Sequence, residues 1–258
     1  MTVNKANCLY DDVLFDADDT LFDFRQAEKE AFFAVFQQRG FTMEAADLQD
    51  YIRINESLWR ELELGLIEKA DLKVLRFTRF FEELSQSPDK AKADTGKALL
   101  ASDVWVFAED YLTFLGQGSH LMPEALAVCQ TLSRICRLSI ITNGISRVQE
   151  SRLAASAIKP YISGLFVSEA FGAAKPQPEF FNPVFRILGI DSPVKKKRTI
   201  ICGDSLTSDM AGGIRAGIDT CWYAPSGDFA AAQGLPITYR IRRLQEIIAI
   251  VRGEEYGR

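Results

Sequence analysis

Histidine is almost missing from this chain: His120 is the only one in 258 residues. A mechanism built on a histidine base, or a metal held by several imidazoles, has that one residue to draw on. The five cysteines, Cys8, Cys129, Cys136, Cys202 and Cys221, are odd in number, widely spread and without a C-x-x-C pair. Such spacing argues against a disulfide frame or a zinc site, and points to reduced thiols in a cytoplasmic setting. No apolar run approaches the ~20 residues of a membrane span. Residues 1–7 lack the apolar core of a signal peptide. At a net charge of −5 the chain lacks the basic excess that draws proteins to nucleic acid. The run Lys195-Lys196-Lys197-Arg198 precedes an apolar strand and reads as a solvated loop. Neither nucleic acid nor a membrane is therefore an expected partner. Internal repeats and low-complexity segments are also lacking.

What remains is the composition of a globular protein, 47% hydrophobic and 25% charged, long enough for one or two domains. A short apolar strand over residues 12–16 opens the pattern. Helical periodicity then predicts helices over 24–39, 44–64, 68–84 and 91–115, with no strand between 22 and 115. After Gly116-Gln117-Gly118 the pattern changes. Helices at 122–135, 146–157, 179–188, 208–216 and 244–251 alternate with strands at 138–142, 164–168, 199–203, 220–223 and 237–241. Short apolar strands alternating with helices predict an α/β fold: a doubly wound parallel-sheet, Rossmann-like core. Its expected limits are 1–21 and 116–258, with an all-helical domain over 22–115 inserted after the first strand. The last residues, 252–258, are expected to fray.

Ligands of open α/β sheets bind at the carboxyl ends of the strands, and four motifs fall there. Asp16-Ala17-Asp18-Asp19-Thr20 ends the first strand. Residues i and i+2 of an extended segment share a side, so Asp16 and Asp18 can face one small site, with the Thr20 hydroxyl behind them. Such a pair suits phosphoryl transfer, one carboxylate attacking and the other handling the proton. Ile141-Thr142-Asn143-Gly144 ends a strand and precedes a helix; a threonine hydroxyl and free backbone N–H groups there can hold a phosphate, although Asn-Gly is also an ordinary turn. Lys175, in Ala173-Ala174-Lys175-Pro176-Gln177-Pro178-Glu179, can offset the repulsion between an aspartate nucleophile and a phosphate dianion. Taken alone it would read as a solvated loop lysine. In Cys202-Gly203-Asp204-Ser205-Leu206-Thr207-Ser208-Asp209 a strand again runs into acids. Asp16 and Asp204, from neighbouring strand ends, can supply the few oxygen ligands that Mg²⁺ takes before phosphate and water complete its shell. Asp209 is either a carboxylate favoured by a helix N-terminus or a group just outside a metal's ligands.

Together these motifs resemble the haloacid dehalogenase-like hydrolase superfamily, over about residues 9–22 and 120–225. The resemblance implies a doubly wound sheet with a mobile cap, and a helical cap inserted after the first motif is the C1 type. The wording Phe15-Asp16-Ala17-Asp18-Asp19-Thr20-Leu21-Phe22-Asp23-Phe24 is most similar to the pyrimidine 5′-nucleotidase branch. Many relatives carry glycine where this chain has Asp19. The resemblance implies that Asp16 attacks phosphorus and forms an aspartyl-phosphate, and that Asp18 protonates the leaving alkoxide and then deprotonates water. It also implies that Asp16, Asp204 and the Asp18 backbone carbonyl hold Mg²⁺. Thr142 with the Asn143 backbone would hold phosphate oxygens, and Lys175 would neutralise charge. Asp18 further argues against a dehalogenase or a P-type ATPase.

The leaving group would be chosen in the helical insertion. Tyr51, Asn55 and Trp59 share one helix face, and Arg76 and Phe80 form a similar pair on the next helix. An aromatic ring beside an amide suits a nucleotide base, so Asn55, Trp59 and Arg76 are the candidate contacts; packing between helices accounts for the same pattern. The expected activity is a Mg²⁺-dependent phosphomonoesterase, a 5′-nucleotidase acting on pyrimidine nucleoside monophosphates. The alternatives are a sugar-phosphate or phosphoglycolate phosphatase, a phosphomutase, or a binding module without turnover. The small phosphorylated metabolite is the expected partner, and the chain is expected to be a monomer or a homodimer.

Overall fold

The structure, a computed structural model, describes residues 8–227, 229–232 and 234–254. Six strands form one all-parallel sheet: β1 (Asp12–Phe15), β2 (Arg137–Thr142), β3 (Gly164–Val167), β4 (Thr199–Gly203), β5 (Asp219–Tyr223) and β6 (Tyr239–Ile241). Their order is β3-β2-β1-β4-β5-β6, so β1 lies between β2 and β4, in register Phe15 to Ile140 and Phe15 to Cys202. This is the doubly wound, Rossmann-like arrangement expected from the alternation of strands and helices. All of β1 is buried, which explains the apolar run Val13-Leu14-Phe15 after Asp12: a parallel sheet is covered on both faces. Val13 and Phe15 enter one apolar cluster and Leu14 the opposite one, following the two-residue period of a strand.

The chain divides into two compact units, Met1–Arg25 with Ser119–Arg258, and Gln26–Gly118. The first holds the sheet. Its helices are α6 (Ala125–Leu132), α7 (Ser146–Ala155), α8 (Pro178–Leu188), α9 (Pro193–Lys196), α10 (Ala211–Ala216) and α11 (Glu246–Arg252). Where the chain leaves and re-enters this unit, Phe22 and Leu121 form an antiparallel bridge. The Asp23 N–H donates to the His120 carbonyl at 3.0 Å, and the Met122 N–H to that of Leu21 at 2.9 Å.

The second unit is all helical: most of α1 (Phe24–Gln38), then α2 (Ala45–Glu63), α3 (Lys69–Ser85), α4 (Lys90–Leu100) and α5 (Val104–Leu115). Its interior is aromatic. Phe32, Phe36, Tyr51, Phe77, Phe80, Phe81, Phe107 and Tyr111 are all buried, and Tyr51 stacks on Phe77 at 5.3 Å between centroids. Each such pair contributes about 0.5–1.5 kcal/mol beyond burial itself.

Some elements differ from expectation. The single helix expected over 91–115 is two helices, because Asp103 caps a new one: its carboxylate accepts from the Trp105 and Val106 N–H groups at 3.0 and 3.2 Å. The helix expected from 208 begins instead as a π-turn, Leu206–Met210, and becomes α-helical at Ala211. Arg252, in the tail expected to fray, closes α11; residues 255–258, like 1–7, lie outside the described residues. The five cysteines are free and buried. Among the described residues no helix is long and apolar enough to cross a membrane.

Candidate active site

The end of β1 sets the first carboxylates. The strand stops at Phe15, and the Asp16 N–H adds one further rung to the Cys202 carbonyl at 2.9 Å. The chain then folds back tightly: the Ala17 carbonyl accepts from Leu21 and Phe22 at 3.0 and 2.8 Å. Asp19 takes the left-handed conformation at φ 57°, which aspartate tolerates better than most residues. Its carboxylate also accepts the Phe24 N–H at 3.2 Å, satisfying a donor at the start of α1. Thr20 is fully buried, and its hydroxyl has no protein partner among the described residues.

Lys175 is the hub of the site. Its ammonium donates to the Asp16 carboxylate, to the Asp209 carboxylate at 2.7 Å and to the Ile141 carbonyl at 2.9 Å. All three donors are thus used on a side chain only 1% exposed. Burial works against its charge, but Asp16 and Asp209 outweigh that and hold the ammonium charged, above its ordinary range. The backbone of Lys175 is fixed by Asn143, whose amide accepts the Lys175 N–H at 2.8 Å and donates to the Lys175 carbonyl at 2.9 Å. The Lys175–Pro176 peptide is cis, and Pro178 opens α8, where a missing N–H costs nothing.

Asp209 reaches the site from the π-turn. One of its oxygens accepts from Lys175, and the other accepts the Ser205 N–H at 3.1 Å. A Cβ at position 203 would overlap the Asp209 carboxylate, so Gly203 is what lets the chain turn back this closely. Of the two readings left open for Asp209, the structure shows a fully buried carboxylate paired with Lys175.

Asp16, Asp204 and Asp209 each bring an oxygen within 4.8 Å of the others. Burial pushes the Asp16 carboxyl well above its ordinary value; Lys175 pulls it down, and Asp209, Asp204 and Asp18 push it up again. Asp204 is pushed up to about 7 by burial, with Asp209 and Asp19 adding to it. Ionised together, three carboxylates and one ammonium would carry −2; a divalent cation would cancel that and offset the repulsion that raises Asp16 and Asp204. An all-oxygen donor set of this kind suits Mg²⁺.

Asp18, whose charge also acts on Asp16, is held by side chains of α7. One oxygen accepts from the Arg152 guanidinium and the other from the Gln149 amide at 2.7 Å. Neither residue belongs to the four motifs. Their spacing, i and i+3 on the helix that follows the second motif, was the available signal, since it puts both on one face of α7. The Thr142 hydroxyl accepts the Gly144 N–H at 3.0 Å, a turn closed by its own side chain. Thr142 is buried at the end of β2, beside the Ile141 carbonyl that Lys175 uses.

The candidates Asn55, Trp59 and Arg76 lie in the helical unit. Asn55 is buried and donates to Glu28 at 2.7 Å. Arg76 is buried, donates to the Leu72 carbonyl at 3.3 Å and lies 5.7 Å over the Tyr111 ring. Trp59, on α2, is partly exposed.

A family model for haloacid dehalogenase-like hydrolases matches residues 10–217. The chain is 34% identical to the HAD-hydrolase YfnB of Bacillus subtilis, over 95% of this chain and 97% of that one. It is 32% identical to the pyrimidine 5′-nucleotidase PynA of Streptococcus pneumoniae, over 93% and 94%. With the pyrimidine 5′-nucleotidase YjjG of Escherichia coli it shares 28%, over 92% and 96%. A magnesium-bound crystal structure of YfnB superposes with a TM-score of 0.79 at 33% identity, over 94% of this chain and 98% of that one.

Proposed function

Starting from a chain that belongs to the haloacid dehalogenase-like hydrolase family and is a phosphatase of that family, we propose that it is a Mg²⁺-dependent 5′-nucleotidase acting on pyrimidine nucleoside monophosphates. The observation that carries the chemistry is the buried Lys175 bridging Asp16 and Asp209. The substrate rests on likeness to PynA and YjjG, both pyrimidine 5′-nucleotidases.

An Asp16 carboxylate oxygen attacks phosphorus, and the bond from phosphorus to the ester oxygen breaks. Asp18 gives a proton to the departing alkoxide, so the nucleoside leaves neutral and an aspartyl-phosphate remains. Asp18 then takes a proton from water, which attacks phosphorus and frees Asp16 and inorganic phosphate. Lys175 offsets the charge that builds between Asp16 and the phosphoryl oxygens. Thr142 and the Asn143 backbone orient those oxygens, since positioning and electrostatics carry most of this chemistry. Asp16, Asp204 and the Asp18 carbonyl would hold Mg²⁺, which when bound supplies positive charge to the transferring phosphoryl group. We assign recognition of the nucleoside to Asn55, Trp59 and Arg76.

The test is phosphate release from dUMP, dTMP, UMP and a set of sugar phosphates, with Mg²⁺ and with EDTA. Metal-dependent release strongest with the pyrimidine nucleotides is the expected result. Preference for a sugar phosphate would keep the mechanism and overturn the substrate. Release unaffected by EDTA would overturn the cation, and no release from any member the whole reading.

A further inference from the structure

The mechanism asks Asp18 to serve a proton in one direction and then in the other, yet the loop that carries it does not hold its side chain. The holders are on α7. Arg152 engages one carboxylate oxygen and Gln149 the other. These two donors are 0% and 2% exposed, while the Asp18 side chain remains 27% exposed. A partly open carboxylate is thus tied from beneath by two buried donors.

The donors are themselves fixed. The Arg152 guanidinium lies 4.7 Å over the Phe22 ring and 5.9 Å from that of Phe24, which sets its plane. The Gln149 side chain passes where a Cβ on residue 144 would sit, so Gly144 keeps its path open. A glycine, two aromatic rings and two residues one helical turn apart therefore converge on one carboxylate.

We infer that Gln149 and Arg152 are positioning residues for Asp18, fixing the direction in which it presents its proton to the leaving oxygen. The inference rests on the reading of Asp18 as the acid and base. An unrestrained carboxylate samples several rotamers, and a displacement of about 1 Å at a reacting group costs on the order of 10²-fold in rate. The three donors of Lys175 go to Asp16, Asp209 and the Ile141 carbonyl, whereas Gln149 and Arg152 bind Asp18, so their loss reaches catalysis through Asp18.

A leaving-group comparison tests this. p-Nitrophenolate departs without a proton; a nucleoside alkoxide needs one. kcat/KM, which reports steps up to departure, is measured for dUMP and for p-nitrophenyl phosphate in the wild type and in Asp18→Asn, Gln149→Leu, Arg152→Met and Arg152→Lys. If sugar phosphates prove the better substrates, the preferred one replaces dUMP. The α7 variants are expected to lose about 10²-fold on the alkyl phosphate and less than about tenfold on the aryl phosphate. Affinity for orthovanadate, a phosphate mimic, should stay unchanged, and Arg152→Lys should recover part of the loss. Equal losses on both substrates, or none, with the bias present in Asp18→Asn, would overturn the inference and leave Asp18 its role. Absence of the bias in Asp18→Asn would remove the acid assignment and this inference with it. Arg152 is wholly buried, so circular dichroism accompanies each variant, and Gln149→Leu carries the same readout if Arg152→Met does not fold.

Discussion

Asn143 clasps the backbone of Lys175 from both sides. Its amide oxygen takes the Lys175 N–H at 2.8 Å, and its amide nitrogen gives to the Lys175 carbonyl at 2.9 Å. The second motif thus builds the third. Asn143→Ala should lose both bonds and cost about 1–3 kcal/mol of stability. Activity should fall further than that, because Lys175 is released from its position over Asp16. Urea unfolding paired with kcat on the same preparation measures both; unchanged kcat would remove the clasp from the catalytic argument.

Lys175 holds two buried carboxylates, and removing it leaves them facing each other. Lys175→Met is expected to destabilise the metal-free protein by about 3–5 kcal/mol and to lower turnover by about 10²–10³-fold. Thermal unfolding in EDTA, followed by phosphate release with Mg²⁺, gives the two numbers. A variant as stable as the wild type would mean that Asp16 and Asp209 do not need this cation.

The excess of negative charge at Asp16, Asp204 and Asp209 should make Mg²⁺ a stabilising ligand. At a hundred times its dissociation constant it would add about 2.7 kcal/mol, visible as a raised Tm. Asp204→Asn should abolish most of that increment without lowering the Tm measured in EDTA, since it removes repulsion from the cluster. The same Mg²⁺-induced rise in wild type and variant would contradict a metal role for Asp204.

Burial pushes the Cys129 thiol from its ordinary value near 9 up to about 12. Between those values the unfolded chain has lost a proton that the folded chain retains. Stability therefore falls as pH rises, by up to about 1.4 kcal/mol per pH unit for this group, and is unaffected by it below about pH 9. Urea unfolding at pH 8, 9, 10 and 11 should show the decline. Cys129→Ala lowers stability throughout through the lost packing, but should flatten the slope above pH 9; an unchanged slope would mean that other groups set it.

Most of the sheet and the charged residues at its edge were legible because their signals are local. Apolar strands ending in Asp16, Thr142 and Gly203 announce a parallel sheet and its active edge together. The break between α4 and α5 was not legible, because Ala101 and Ser102 suit a helix well enough and only the Asp103 cap betrays the restart. Arg152 and Gln149 escaped for a different reason. An arginine on a helix ordinarily marks a solvated face, and only the tertiary structure shows Arg152 buried between aromatic rings and Asp18. Asp209 stayed ambiguous because its direction depends on a π-turn and on the missing side chain at Gly203. For Asn55 and Arg76 the helix-face pattern fits nucleotide contact and packing between helices alike, and their partners Glu28 and Tyr111 come from helices distant in sequence.

The bridge between Phe22 and Leu121 brings together two points separated by nearly a hundred residues. To the sheet, the whole helical insertion is therefore a loop whose two ends are already stapled, and its length and content are of little consequence to the strands. Chain closure entropy grows only slowly with the size of such a loop, and adjacent ends are what make insertion and replacement of a unit tolerable. The helical unit can consequently be rewritten, shortened or exchanged for another over evolutionary time while the catalytic edge stays as it is. For a protein engineer, the same two residues mark where a different insertion could be spliced in.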